Sequence, residues 1–193
     1  MRLRDLTPDQ LDEEQRALRE RIVGGPRGAG PQHFDLTTPD GALAGPFGVM
    51  LHEPALGAPL QELGSAVRYA TGLDDRVREV AILAVAAATG SVFEQHAHER
   101  VGRAAGLREA ELEALAAGRF TSDDPGEQAS YDLCRRLLAG RSRLTEEEYA
   151  DVVGALGTTT VTELVVLVGY YRTLAQLLDV FDVGVPEDHG SAQ

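Results

Sequence analysis

Apolar residues recur at every third or fourth position along most of this chain, and alternating β-type runs are scarce. That period predicts helices over about 7–22, 54–71, 74–89, 91–105, 108–117, 125–139, 145–156 and 158–182. Polar residues mark the starts. Thr7 is followed by Pro8 and, three positions on, by Gln10, and Thr145 is followed by Glu148. In such a capping box the hydroxyl accepts from the first turn while the third side chain reaches back to the cap N–H. Gly72, Gly90, Gly106, Gly118 and Gly140 stand where helices should close. The expected fold class is all-α.

Two stretches depart from this regularity. Residues 24–48, GGPRGAGPQHFDLTTPDGALAGPFG, hold seven glycines and four prolines, too many for a helix. A loop that long inside a compact domain is usually functional or unstructured. It reads either as a plain connector or as a lid or intersubunit arm that brings Phe34, Phe47 and His52 near a pocket. The other stretch, TTTVTELVVLVGYYRTLAQLLDVFDVGV, has apolar residues on nearly every helical face. That pattern predicts a helix buried on all sides, by a subunit interface or at the centre of a monomer core; the interface is the economical reading in a domain this small. Glu79 and Glu163 each lead into an apolar run, EVAILAV and ELVVLVG, an echo too brief to establish a repeat.

At 193 residues the chain has the length of one domain: an N-terminal helix and Gly/Pro-rich arm over 1–45, a helical domain over 46–186, and a tail over 187–193. Such a length buries roughly 70% of the surface exposed on unfolding, so the core needs no covalent staples. Basic residues number 18 against 31 acidic ones, a formal charge of −13, which disfavours nucleic acid and anionic membrane surfaces as partners. Cys134 is the single cysteine, which excludes an intrachain disulfide and a thiolate zinc cluster. The N-terminus lacks the apolar core of a signal peptide, and the apolar runs fall short of the ~20 residues that span a bilayer. The expectation is a soluble, cytoplasmic protein.

Candidate chemistry concentrates in GSVFEQHAHERVG, residues 90–102. On a helix at ~100° per residue, Ser91, Glu94 and His98 share one face, whereas His96 points about 200° away. The charged groups therefore do not converge as a helix-borne metal site, and no HExxH-type pair supplies further ligands, so no metal is expected. A plain structural reading competes: Ser91 and Glu94 are themselves spaced as a capping box, which would fold the carboxylate onto its own backbone. His98 would then be a core histidine and His96 a surface one.

The stretch REVAILAVAAATGSVFEQHAHERVGRAAGLREAELEAL resembles the central signature of the carboxymuconolactone decarboxylase family, whose fold is shared with alkylhydroperoxidase D-like proteins. The redox branch has a glutamate, a CxxC pair beginning twelve residues on, and a histidine four beyond the second cysteine. On this chain the glutamate falls at Glu79, the cysteines at Ser91 and Glu94, and the histidine at His98. The decarboxylase-like branch commonly carries a glutamate at the second of these positions, followed by an HAH-like segment, as in FEQHAHE. The similarity extends in layout over about residues 45–182, through PFGVMLHEPAL and ELVVLVGYYRTLAQLL, and is most specific over 76–107. It implies a helical bundle assembled as trimers or hexamers. Without the CxxC, thiol peroxidase chemistry lacks both the attacking and the resolving sulfur, and Cys134 lies outside the motif.

The remaining residues suit acid/base chemistry. Glu94, in a helix's first turn, is favoured as an anion and suits a base or orienting group; His98, with an ordinary pKa of ~6.5, suits proton delivery. Glu79 either folds across the Gly90 turn to position the imidazole or pairs with Arg76 or Arg78. Decarboxylation of an activated acid needs no cofactor, only oriented donors for the enolate and a proton for the carbon. His96 and His52 are further donors, Ser91 shares the Glu94 face, and Phe93 and Phe47 offer an apolar wall. The expected function is a cofactor-independent lyase, or related isomerase or dehydratase, acting on a small carboxylated lactone or β-keto acid. A hydroperoxidase-related redox protein and a non-catalytic oligomeric binding protein are the alternatives.

Overall fold

The computed structural model describes residues 2–29 and 35–185. About 69% of the structure is helical, and the described residues contain no strand. Among the described residues a 3-10 turn, Pro8–Gln10, precedes nine α-helices: α1 Glu13–Val23, α2 Pro26–Ala29, α3 Pro46–Met50, α4 Pro54–Tyr69, α5 Asp75–Thr89, α6 Val92–Ala104, α7 Glu109–Ala116, α8 Pro125–Leu138 and α9 Glu146–Val180. The sequence period therefore locates every long helix. At the N-terminus the expected 7–22 helix is split, because Asp12 makes a second capping box with Gln15 and starts α1 there. Gly90, Gly106, Gly118 and Gly140 take positive φ as expected; Gly72 does not, and instead gives its N–H to Glu163 at 2.8 Å.

Helix α5 is the axis of the fold. Val80 to Ala86 are all buried, since α6, α7, α8 and α9 pack around it. Its continuous alanine, valine and leucine run fits that position, because small and branched apolar side chains let several helices approach one axis. Leu6, Leu11, Leu18, Ile22 and Leu43 join the same core, so the N-terminal segment and the helical domain share one interior.

The described part of the glycine- and proline-rich stretch contains α2, most of α3 and a turn closed by an antiparallel bridge between Thr37 and Leu43. Its Ala42, Leu43, Ala44 and Phe47 are buried. Phe34 lies outside the described residues.

At the C-terminus, α9 is broken at Gly157 (φ 77°, ψ 154°), where the two expected helices meet. Within one chain it is not buried on all sides: Leu164, Leu167, Val168, Tyr170, Tyr171, Leu174 and Leu178 face the core, while Val165 and Val166 are 46% and 40% exposed, so the centre of a monomer core does not account for its pattern. Within it an 18-residue window has a mean hydropathy of 1.7, long and apolar enough by composition to cross a membrane, contrary to the sequence expectation. Only 17% of that window is buried within the chain, so its apolar character is not accounted for by the core.

Candidate active site

The site is built on the α5–α6 hairpin. Gly90 turns the chain in the left-handed region at φ 68°, which glycine adopts without the Cβ clash of other residues. The turn lays the first part of α6 back along α5, so Glu79 and His98 face each other across nineteen positions of sequence. His98 Nδ1 donates to Glu79 Oε2 at 2.6 Å, and His98 Nε2 stands 3.3 Å from Glu94 Oε2 one helical turn earlier. Arg68, from the last turn of α4, backs Glu79 Oε1 at 3.4 Å. The Tyr171 ring of α9 meets the imidazole edge-on, with centroids 5.2 Å apart, and Tyr170 meets Tyr171 the same way.

Burial makes this arrangement demanding. Glu79 is 1% exposed and Glu94 and His98 4% each, so each charge must be met by a partner inside the protein. Burial pushes the Glu79 carboxyl up, but the hydrogen-bonded His98 charge, then Arg68 and Arg78, hold it below its ordinary value. Burial likewise pushes His98 down, and Glu79 followed by Glu94 outweighs it, so the imidazole stays protonated above its usual range. An imidazolium donates from both nitrogens, which is what two flanking carboxylates require. With both nitrogens engaged, no lone pair remains for a metal. Among the described residues no group of three His, Cys, Asp or Glu side chains is arranged to hold one.

The competing capping reading of Glu94 is overturned. Ser91 is the N-cap of α6 but makes no side-chain cap bond, and its Oγ is buried without a partner. Glu94 turns its Oε2 to His98 instead, and its Oε1 is buried without a partner. The Arg76 and Arg78 alternative for Glu79 fails too: Arg76 binds Glu111 and Glu127, and Arg78 binds Asp75. Thus Glu79, Glu94 and His98 come together as expected.

The other expected residues are dispersed. His96 is half-buried on the far side of α6, with its ring against the Arg100 guanidinium one turn on. His52 Nε2 donates to the Arg4 carbonyl at 3.1 Å, tying the N-terminus to the start of α4. Phe47 is buried with the Arg27 guanidinium stacked 5.0 Å above it. Phe93 packs with Ala97 and Leu178. A cavity of about 160 Å³ at the start of α6 reaches Ser91 and Phe93 but not Glu94 or His98, which lie further along the helix.

Sequence reasoning missed Arg68, Tyr170 and Tyr171. Tyr170 is buried against Tyr171, and burial pushes the Tyr170 hydroxyl up to about 12 against the opposing pull of Arg27. The signal was present in YYR within an otherwise aliphatic helix, where hydroxyls must find polar company.

Comparison with known proteins follows the same lines. Residues 54–135 match the model of the carboxymuconolactone decarboxylase family. No curated protein matches the chain by sequence. Among solved structures, the alkylhydroperoxidase AhpD core of an uncharacterized peroxidase-related protein from Ralstonia eutropha JMP134 superposes with a TM-score of 0.75 at 14% identity, covering 97% of this chain and 93% of that one. The debrominase Bmp8 in complex with 2,3,4-tribromopyrrole superposes at 0.66 and 13% identity, covering 95% and 90%. Its apo form gives 0.67 at 12%, covering 95% and 91%. At these identities the likeness is one of fold.

Proposed function

We propose a cofactor-independent acid/base lyase, and the premise is that residues 54–135 match the model of the carboxymuconolactone decarboxylase family on a chain with the alkylhydroperoxidase D-like fold. The substrate class is a small carboxylated lactone or β-keto acid. One observation carries the reading. A buried imidazole is clamped between two carboxylates, and one oxygen of the second carboxylate, Glu94 Oε1, has no protein partner. A structural ion pair would satisfy that oxygen; a proton-transfer site leaves it for substrate.

The chemistry runs as follows. The bond to the substrate carboxylate breaks, CO2 leaves, and the electron pair is held as an enolate by the neighbouring carbonyl. His98 Nε2 gives its proton to Glu94, which passes it to the carbon; the neutral imidazole, held in place by Glu79, is protonated again from solvent after product leaves. Positioned proton transfer of this kind contributes ~10²–10⁴-fold. The same pair serves isomerisation or dehydration, which require the same proton movements.

Thiol redox chemistry is poorly supported. Ser91 and Glu94 occupy the positions of the two cysteines, and Cys134 is fully buried with its thiol pushed up to about 12 by burial. The exposed apolar side of α9 suits self-association, and the family resemblance favours a trimer or hexamer.

The test is incubation with a panel of lactone and β-keto acids, following CO2 release and product by NMR, with peroxide consumption in parallel. Release of CO2 that is lost in His98→Gln, with no peroxide consumption, is the expected result. Peroxide consumption abolished by Cys134→Ser, or a ligand bound tightly and recovered unaltered, would overturn the reading.

A further inference from the structure

One flank of α5 carries Glu79 to the catalytic cluster, and a groove opens on the other. On a helix at ~100° per residue, Ala84 and Ala88 stand about 140° and about 180° round the axis from Glu79. They line a groove of about 370 Å³ that α7 and α8 complete. Ala84, Leu115 and Tyr131, 5%, 0% and 2% exposed, form its floor, and Ala88, Ala116 and Arg135 stand exposed at its rim. Alanine on both facing helices leaves this volume, because longer side chains there would fill it. The volume lies at the small end of the ~300–1,000 Å³ usual for ligand sites.

The groove also has a charge of its own. No carboxylate lines it, although the chain carries 31 acidic residues. Arg135 makes no hydrogen bond or ion pair with the described residues, and its guanidinium rests over the Tyr131 ring at 5.9 Å. Its neighbours are engaged elsewhere: Asp132 accepts from Gln128 at 3.0 Å, and Arg136 binds Glu148 at 2.8 Å. Tyr131, one turn before Arg135, accepts the Phe120 N–H at 3.4 Å, and its own hydroxyl proton has no acceptor among the described residues. A cationic fork above an apolar floor matches an anion with an apolar body, and the fork's two parallel N–H groups fit a carboxylate. A floor of alanine and leucine disfavours a doubly charged phosphate, which would be stripped of water with nothing to replace it.

We propose that the groove between α5, α7 and α8 is a second, non-catalytic site for a small aromatic carboxylate, with its ring on the Ala84 and Leu115 floor and its charge on Arg135. The site lies across α5 from Glu79 and does not rest on the acid/base reading. The formal charge of −13 does not forbid it. Exposed charges more than ~8 Å apart are largely screened at physiological salt, and Arg135 is the one ionised side chain in the lining among the described residues. A flat ring suits the floor because it meets methyl groups from α5 on one side and the Tyr131 face on the other.

The probe is benzoate, compared with benzamide, titrated calorimetrically into the full chain. Benzoate is expected to bind with a Kd of about 1 mM or lower, and at least about tenfold more tightly than benzamide. Arg135→Gln should lose about tenfold in affinity and Arg135→Lys should keep part of it. Ala88→Leu should weaken binding by occupying the rim. Both positions are exposed, so the thermal midpoint should stay as in the native protein. Glu94→Gln should bind benzoate as the native protein does. No binding by the native protein, equal binding of the two probes, or unchanged affinity in Arg135→Gln would each overturn the site. Binding lost in Glu94→Gln but kept in Arg135→Gln would put the probe at the catalytic cluster and overturn it as well.

Discussion

At the scale of single residues, His98 is defined by its two neighbours. Its raised pKa and the lowered pKa of Glu79 have opposite consequences with pH. The His98 contribution to stability is present in full below its unfolded value of about 6.5 and is lost as pH rises through the higher folded value. The Glu79 contribution is present above about 4.3 and is lost as pH falls through the lower folded value. The pair therefore stabilises most between those limits. Activity that needs the imidazolium should fall on the alkaline side at a pH above 6.5. Glu79→Gln should move that limb downward, as read from a kcat against pH profile; an unmoved limb would contradict the positioning role. Glu94 and His98 were legible in sequence because one helical turn joins them. Arg68 and Tyr171 were not, because their contacts cross between helices and leave no local spacing.

At the scale of elements, two helix starts that look alike in sequence behave differently. Thr145 and Glu148 form a true capping box at 3.2 and 2.8 Å, whereas Ser91 caps nothing and Glu94 is drawn away to His98. Thr145→Ala should cost about 1 kcal/mol of stability. Ser91→Ala removes an orphaned hydroxyl and should leave the thermal midpoint unchanged or slightly raised. A loss at Ser91 equal to that at Thr145 would restore the capping reading. The four-residue spacing alone could not decide this, since both outcomes use the same pattern. The His98 imidazole, held by Glu79 from α5, decided it. The N-terminal arm was legible as irregular but not as a donor of Arg27, because nothing local joins Arg27 to a tyrosine on α9.

At the scale of the whole molecule, the sequence period located α5 as a helix, but its place at the centre, with helices around it, emerged only from the structure, because the C-terminal run is equally apolar. Ion pairs fasten the periphery: Arg76 joins α5 to α7 through Glu111 at 2.6 Å and to α8 through Glu127 at 2.7 Å. Arg108 and then Arg76 hold the Glu111 carboxyl far below its ordinary range, so this contribution is lost only in strong acid. Helix α9 is the exception to the readable plan. Its apolar surface exceeds what the core takes up, leaving Val165 and Val166 outward. If that face joins copies of the chain, Val166→Glu should convert the assembly to monomer in sedimentation velocity. A native protein that is already monomeric would contradict it.

The most direct test of the central claim is kcat in Glu94→Gln, measured on a substrate that releases CO2 with the native protein. Removing the proton carrier while keeping its shape should cut kcat at least about a hundredfold with the thermal midpoint little changed. A kcat within about twofold of the native value, in a variant that remains folded, would mean that the clamped imidazole and its carboxylates hold the helices together and do no chemistry.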